Sequence, residues 1–414
     1  MKNNNINIVK DLKNLLDDYM TEASSREFII KLQEDSFAYN NEESDFNELE
    51  KSQVEYEVPK GIDHRIMVDK MITHCENDLP EERFYNLLLD LSQLMLHSGE
   101  VSFSLEIADD LLSKLNFDNK YVSVLAEANL MVSKIYWSQA IWDDCSYYVS
   151  KAMQLFLSIS SEPGIAKCEN MLGTLYGEKG EFEKAQQYLE NALKHLKVDD
   201  DLSSRAMILT NLGIINTISG DFEKAVWNFK NSIEKFESLN DTRRLSRVYH
   251  NIGMLYTRMG KYDAALDEFN KCISHSLDND YLSNCAVAYV GKAFIYTKLK
   301  NSALADAYTD KAMEIAYKIN DTLSIADIYK IKGMIHTEMD NFQLSEEFFE
   351  NSIRLNKDLE NKLNTAESSA ELGKLLQKNE REEEAKPYLD SAVSYYKDIN
   401  DEDIVADLVE NNFK

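Results

Sequence analysis

Apolar residues recur along most of this chain at intervals of three and four, the signature of helices that bury one face. From residue 166 onward the pattern also repeats as a block. Leu-Gly or Ile-Gly stands at 172–173, 212–213, 252–253 and 372–373, with Gly333 in the same register, a spacing of 40 residues. Twelve residues beyond each register comes a small side chain: Ala185, Ala225, Ala265, Ala305, Ser345 and Ala385. Four further on stand Leu189, Phe229, Phe269, Thr309, Phe349 and Leu389, and three beyond these the residue is small again, as Ala192, Ser232, Cys272, Ala312, Ser352 and Ala392. Small residues at fixed places in successive helical stretches predict helices packed so closely that larger side chains would push their axes apart. Units begin near 166, 206, 246, 286, 326 and 366.

The punctuation agrees. Gly180, Gly220 and Gly260 mark turns, each followed by an aromatic that would open the second helix of its unit (Phe182, Phe222, Tyr262), as Phe342 would in a later one. Leu-Asn-Asp-Thr at 239–242, Ile-Asn-Asp-Thr at 319–322 and Ile-Asn-Asp-Glu at 399–402 supply a helix stop followed by an N-capping Asp. Residues 401–414 therefore start another first helix and are expected to cap the array.

Going back by one period, residues 126–165 keep Tyr136, Cys145 and Ala152 in place but lose the glycine, and 81–125 form a weaker pair around Gly99. Before that the period is lost. Ile8, Leu12, Leu15 and Tyr19 share one helical face, as do Phe28 and Leu32, and Phe46, Leu49 and Val54 would line a third helix. Pro59 and Gly61 break the chain before a long helix beginning with Ile62, Ile66, Met67 and Met71.

The repeated block resembles the tetratricopeptide repeat, with Leu-Gly and a tyrosine (Tyr176, Tyr256, Tyr296) on helix A and alanine, aromatic, alanine on helix B. The usual unit has about 34 residues, so each helix pair here should be longer. The expected fold is all-α: a right-handed superhelical solenoid over 76–414, preceded by an N-terminal helical bundle and linker helix over 1–75. Only 4 Pro and 13 Gly in 414 residues agree with long helices and short turns.

Charge narrows the partners. Against 45 basic residues stand 73 acidic ones, a formal net charge of -28, which repels phosphate backbones and anionic membranes and attracts basic proteins. No basic leader precedes an apolar core, and no apolar run approaches the roughly 18 residues of a membrane span, so a cytoplasmic protein without nucleic-acid or membrane partners is expected. Five scattered Cys (Cys75, Cys145, Cys168, Cys272, Cys285) read as small buried residues. Seven His show no chelating pair, and HExxH, GxSxG, Walker A and strand-linked GxGxxG motifs are absent, so neither metal nor cofactor is expected.

In helix pairs of this kind, residues at positions 2, 5, 6, 9 and 12 of helix A face an inner groove. They include Lys167, Asn170, Thr174, Asn211, Thr217, Arg247, Asn251, Thr257 and Thr297. Asn211 and Asn251 share one register. An amide offers a donor and an acceptor, so such a ladder can pair with an extended peptide backbone, or else with the neighbouring helix. Lys167 and Arg247 could anchor a peptide carboxylate or pair with the abundant Asp and Glu.

The stretch His64-Arg65-Ile66-Met67-Val68-Asp69-Lys70 is similar to the linker-helix motif of the Rap regulators of Gram-positive bacteria. Ile135-Tyr136-Trp137, Tyr147-Tyr148, Ala152-Met153-Gln154-Leu155-Phe156, Ala166-Lys167-Cys168 and Phe182-Glu183-Lys184-Ala185 resemble later parts of that family. The resemblance implies a quorum-sensing regulator whose bundle holds a response regulator or its DNA-binding domain and whose solenoid is switched by a short signalling peptide, contacted by asparagines matching Asn211 and Asn251. Some members dephosphorylate the response regulator with a glutamine that orients water. Its position falls near Lys51, and Gln53 is the closest candidate here. A general tetratricopeptide scaffold for protein assembly, without phosphatase activity, is the alternative. The oligomeric state is not legible.

Overall fold

A computed structural model gives the fold. It describes residues 2–40, 58–59, 62–115, 119–139, 141–197, 201–277, 281–319, 321–359, 361–398 and 402–410. Among them lie 20 α-helices and one short 3-10 turn, with no strand. By their internal packing the residues fall into two compact units, Met1–Met171 and Leu172–Lys414.

In the first unit, α1 (Lys2–Tyr19) and α2 (Glu22–Asn40) pack with α3 (His64–Asp78), α4 (Glu81–His97) and α5 (Val101–Leu115). Ile8, Leu12 and Leu16 of α1 meet Phe28, Ile29 and Leu32 of α2 and Met67, Val68 and Met71 of α3 in one buried cluster. Two details differ from the pattern-based reading. Helix α3 begins at His64 because the Asp63 side chain accepts the Arg65 backbone N–H at 2.8 Å, which leaves Ile62 outside it. Ile66 is 51% exposed, the core being served by Met67, Val68, Met71 and Cys75 instead. The expected third bundle helix with Phe46, Leu49 and Val54 lies outside the described residues.

Helices α6 (Val122–Ser138) and α7 (Trp142–Ser158) form the degenerate pair, with Cys145 and Ala152 fully buried and Tyr136 stacked on Tyr148 at 5.6 Å between centroids. Gly99 turns α4 into α5 at φ +83°, where a side chain would be strained.

Helix α8 (Glu162–Glu178) is followed in the second unit by α9 (Phe182–His195) and then by four successive pairs. These are α10 (Leu202–Ile218) with α11 (Phe222–Ser238), α12 (Thr242–Arg258) with α13 (Tyr262–Leu277), α14 (Leu282–Lys298) with α15 (Ser302–Ile319), and α16 (Thr322–Glu338) with α17 (Phe342–Asp358). The last pair, α18 (Lys362–Lys378) and α19 (Glu382–Asp398), is covered by α20 (Glu402–Glu410), which buries Leu408 against it. Asp201, Asp241, Asp321 and Asn361 cap the A helices by accepting the backbone N–H three residues on. Each A helix has 17 residues, a rod of about 25 Å.

The Leu-Gly signature has a specific cause. A Cβ on Gly213, Gly253 or Gly333 would sit 2.5–2.6 Å from the ring of Phe229, Phe269 or Phe349 of the paired helix, and on Gly373 it would meet Leu389 at 2.5 Å. The glycine exists so that a large B-helix side chain can lie flat on the A-helix backbone. Where the register holds Ala293, its partner is the smaller Thr309, fully buried.

Consecutive A helices also touch, α10 to α12, α12 to α14, α14 to α16 and α16 to α18. Their exposed faces form one continuous row, the feature that positions the site.

Candidate functional site

The row of A helices carries a threonine ladder. Thr217, Thr257, Thr297 and Thr337 donate to the carbonyls of Gly213, Gly253, Ala293 and Gly333 at 2.7, 2.8, 2.9 and 3.0 Å. Their protons are committed to the helix, so what they offer outward is an acceptor oxygen.

The two ladder asparagines behave differently. Asn211 Nδ2 donates to Thr174 Oγ1 at 3.2 Å. One repeat later the position of Thr174 is taken by Ile214, which has nothing to accept, and Asn251 Nδ2 is buried with no hydrogen-bond partner. Leaving a buried donor unpaired costs about 1–3 kcal/mol.

Asn251 opens on a cavity of about 520 Å³ between α10, α12 and α14. Ile214, Ile218, Met254 and Phe294 wall it, Thr217 and Thr257 add their oxygens, and Arg258 and Lys298 stand at its rim. Both cations are exposed, and neither has an anionic partner within ion-pair distance among the described residues. The Lys298 ammonium rests 5.3 Å from the Phe294 ring centre.

Beside this cavity the groove is electrostatically crowded. Desolvation, then the Arg243 guanidinium, lower Arg247 from the ordinary arginine value, against the pull of Glu178. Glu178 is raised by desolvation and held back by Arg247. Glu178 and Arg247, two repeats apart in the chain, thus sense one another's charge. Burial, and secondarily Arg247, push His250 down to about 4, leaving it neutral at physiological pH. Farther along, Lys330 is only 14% exposed and is clasped by Glu367 and, at 3.5 Å, by Asp327, whose second partner is the Asn364 amide at 3.0 Å.

Of the remaining groove residues read from the sequence, Lys167 is paired with Glu127 at 2.6 Å, the internal carboxylate partner that the sequence also offered. Asn170 is half-buried on α8 in the first unit. Asn211, Thr217, Arg247, Asn251 and Thr257 lie on the A-helix row of the second unit, and the cavity gathers Thr217, Asn251 and Thr257. Gln53 lies outside the described residues. Sequence reasoning missed Arg258 and Lys298 because the face was taken to end at position 12. Position 13 lies four residues beyond position 9, on the same stripe, and that spacing could have found them.

Ser24 Oγ and the Asp78 carboxylate approach the same His74 nitrogen, at 3.2 and 3.7 Å, whereas a proton relay needs them on opposite ring nitrogens. Burial pushes the thiols of Cys75, Cys168 and Cys272 to about 12 and of Cys285 to about 11, so they stay protonated. Among the described residues no cluster of three His, Cys, Asp or Glu is placed to hold a metal, and no helix is long and apolar enough to cross a membrane.

Comparison with known proteins places the fold. Tetratricopeptide-repeat models match residues 204–276 and 170–194. No curated protein matches the sequence. Among solved structures, a Rap protein complexed with competence and sporulation factor is similar over 82% of this chain and 93% of its own, at 14% identity and TM-score 0.61. The Rap conjugation gene regulator of plasmid pLS20, in complex with the Phr* peptide, is similar over 77% and 96%, at 15% identity and TM-score 0.57. Aspartyl phosphate phosphatase F from Bacillus subtilis is similar over 92% of each chain, at 14% identity and TM-score 0.53. The chain has an all-α fold built of tetratricopeptide-repeat helix pairs. Its fold resembles that of the Rap proteins.

Proposed function

We propose that the second unit binds a short extended peptide along its row of A helices and that the chain is a Rap-like regulator governed by that peptide. The observation that carries the reading is Asn251, a buried amide donor without a partner, opening on an apolar cavity in the register of Asn211. A peptide backbone carbonyl is the acceptor it lacks, and the threonine oxygens beside it suit peptide N–H groups. One of the similar folds is a complex with the Phr* peptide and another a complex with competence and sporulation factor, which supports a ligand-binding use of the fold here.

Affinity selection of random pentapeptides on the full chain, followed by calorimetry, tests it. The double variant Asn211→Ala/Asn251→Ala should bind the selected peptide roughly tenfold or more weakly, each lost hydrogen bond contributing about 1 kcal/mol. Undiminished binding in the double variant would remove the groove mechanism.

In this reading the first unit meets a response regulator, and Gln53 is the residue that would orient water at an aspartyl phosphate. The likeness to aspartyl phosphate phosphatase F supports asking the question. Phosphorylated response regulator should decay faster with wild type than with Gln53→Ala. Equal decay in both, at the protein-free rate, leaves a regulator that acts by binding alone.

A further inference from the structure

Resting on the peptide-binding reading, we propose that the cavity between α10, α12 and α14 selects an acidic ligand: a large apolar side chain flanked by a carboxylate that meets Arg258 and Lys298.

In a chain with 73 acidic and 45 basic residues, an inward-facing cation can readily be neutralised from within, as two are. Lys167 has Glu127, and Lys330 has Glu367 and, at 3.5 Å, Asp327. Arg258 and Lys298 depart from this. They occupy one register in successive A helices and line the same cavity, yet no carboxylate among the described residues pairs with either. The flanking residues of that register are Ile218 on one side and Glu338 on the other, and Glu338 is engaged by Lys300 at 3.5 Å. Two uncompensated cations at the mouth of an apolar chamber attract an anion and repel a basic side chain.

The chamber sets the rest of the specificity. Its volume of about 520 Å³ lies in the range of ligand sites and exceeds what ordered solvent needs. Ile214, Met254 and Phe294 favour a leucine, methionine or phenylalanine side chain, and Asn251 lines the same space. A guanidinium one repeat from an ammonium can hold a carboxylate from either of two sources, an Asp or Glu side chain beside the apolar residue or the C-terminus of the peptide itself.

An array of immobilised pentapeptides probed with the full chain separates the outcomes. Amidated peptides pairing Leu, Met or Phe with Asp or Glu should be retained roughly tenfold over their Asn or Gln counterparts if the side chain is the source. Free-acid peptides should exceed their amidated forms by a similar factor if the terminus is the source. Arg258→Glu/Lys298→Glu should turn the preference toward Lys and Arg, and Arg258→Gln/Lys298→Gln, a milder change checked by circular dichroism, should abolish it. Asn251→Ala should weaken all retained peptides alike without altering the preference. If wild type retains peptides with no acidic bias, or the reversed variant keeps the same bias, the inference is wrong and peptide binding still stands. If no peptide is retained by any form, both readings fall.

Discussion

Two stretches of the A-helix row in the second unit solve the same problem in opposite ways. Along α16 and α18, Lys330 sits nearly out of water but is held by Glu367 and Asp327, with Asn364 satisfying the second carboxylate. Burial alone would lower the Lys330 pKa; the two carboxylates outweigh it and hold it above the ordinary lysine value. Along α10 to α14 several polar groups find no answer among the described residues: Asn251 Nδ2 has no acceptor, Thr217 and Thr257 offer spare oxygens, and Arg258 and Lys298 have no anion. A closed network holds a structure together. An open one costs stability until something outside the chain completes it.

The largest expected effect is at the closed end. Lys330→Met leaves Asp327 and Glu367 facing one another without their cation and should cost about 3–5 kcal/mol by urea denaturation. A loss under about 1 kcal/mol would show that this cluster is solvated and that the contrast is false.

Next comes His250, whose pKa burial depresses to about 4. In unfolded chain an imidazole titrates near 6.5, so between about 4 and 6.5 the unfolded state binds more protons. The contribution is therefore complete above pH 6.5 and lost as pH falls toward 4, on the order of 3 kcal/mol. His250→Phe should flatten that part of a stability–pH curve, and an unchanged slope would place the ring in water.

Asn251→Leu should stabilise the chain by about 1 kcal/mol, since it removes an unpaired buried donor, whereas Asn211→Leu should destabilise it by removing the hydrogen bond to Thr174. Thermal melts of the two variants moving the same way would erase the distinction between the asparagines. The smallest effect belongs to Arg258→Ala/Lys298→Ala, expected within about 0.5 kcal/mol of wild type because these exposed side chains have no ion pair among the described residues and the Lys298–Phe294 contact is a weak, solvated one. A large loss would mean that they have internal partners after all.

The repeat architecture was legible because its causes are local and recur: a glycine under a phenylalanine, an aspartate at a helix start, a left-handed turn at a fixed interval. Even the turns that lack glycine keep their geometry, as Lys300, Asp340 and Glu380 do at φ 56°, 55° and 60°. The candidate site was legible only in part. Asn211 and Asn251 look alike in the sequence, and what separates them is Thr174 against Ile214 on the preceding helix, a difference that matters only once the helices are stacked. Lys167 likewise reads as a carboxylate anchor or an internal ion-pair partner until Glu127 is found against it.

The glycine–phenylalanine contacts bear on how such a molecule can be rebuilt. Because Gly253 answers to Phe269 and Ala293 to Thr309, sixteen positions apart in each case, the smallest interchangeable part is a residue couple and not a single site. Chimeras joined within that interval would set an alanine beneath a phenylalanine ring, whereas crossovers at the loop entering an A helix would carry every couple across intact. Permuting whole 40-residue modules should thus preserve folding while rearranging the order of charges that a visiting chain encounters.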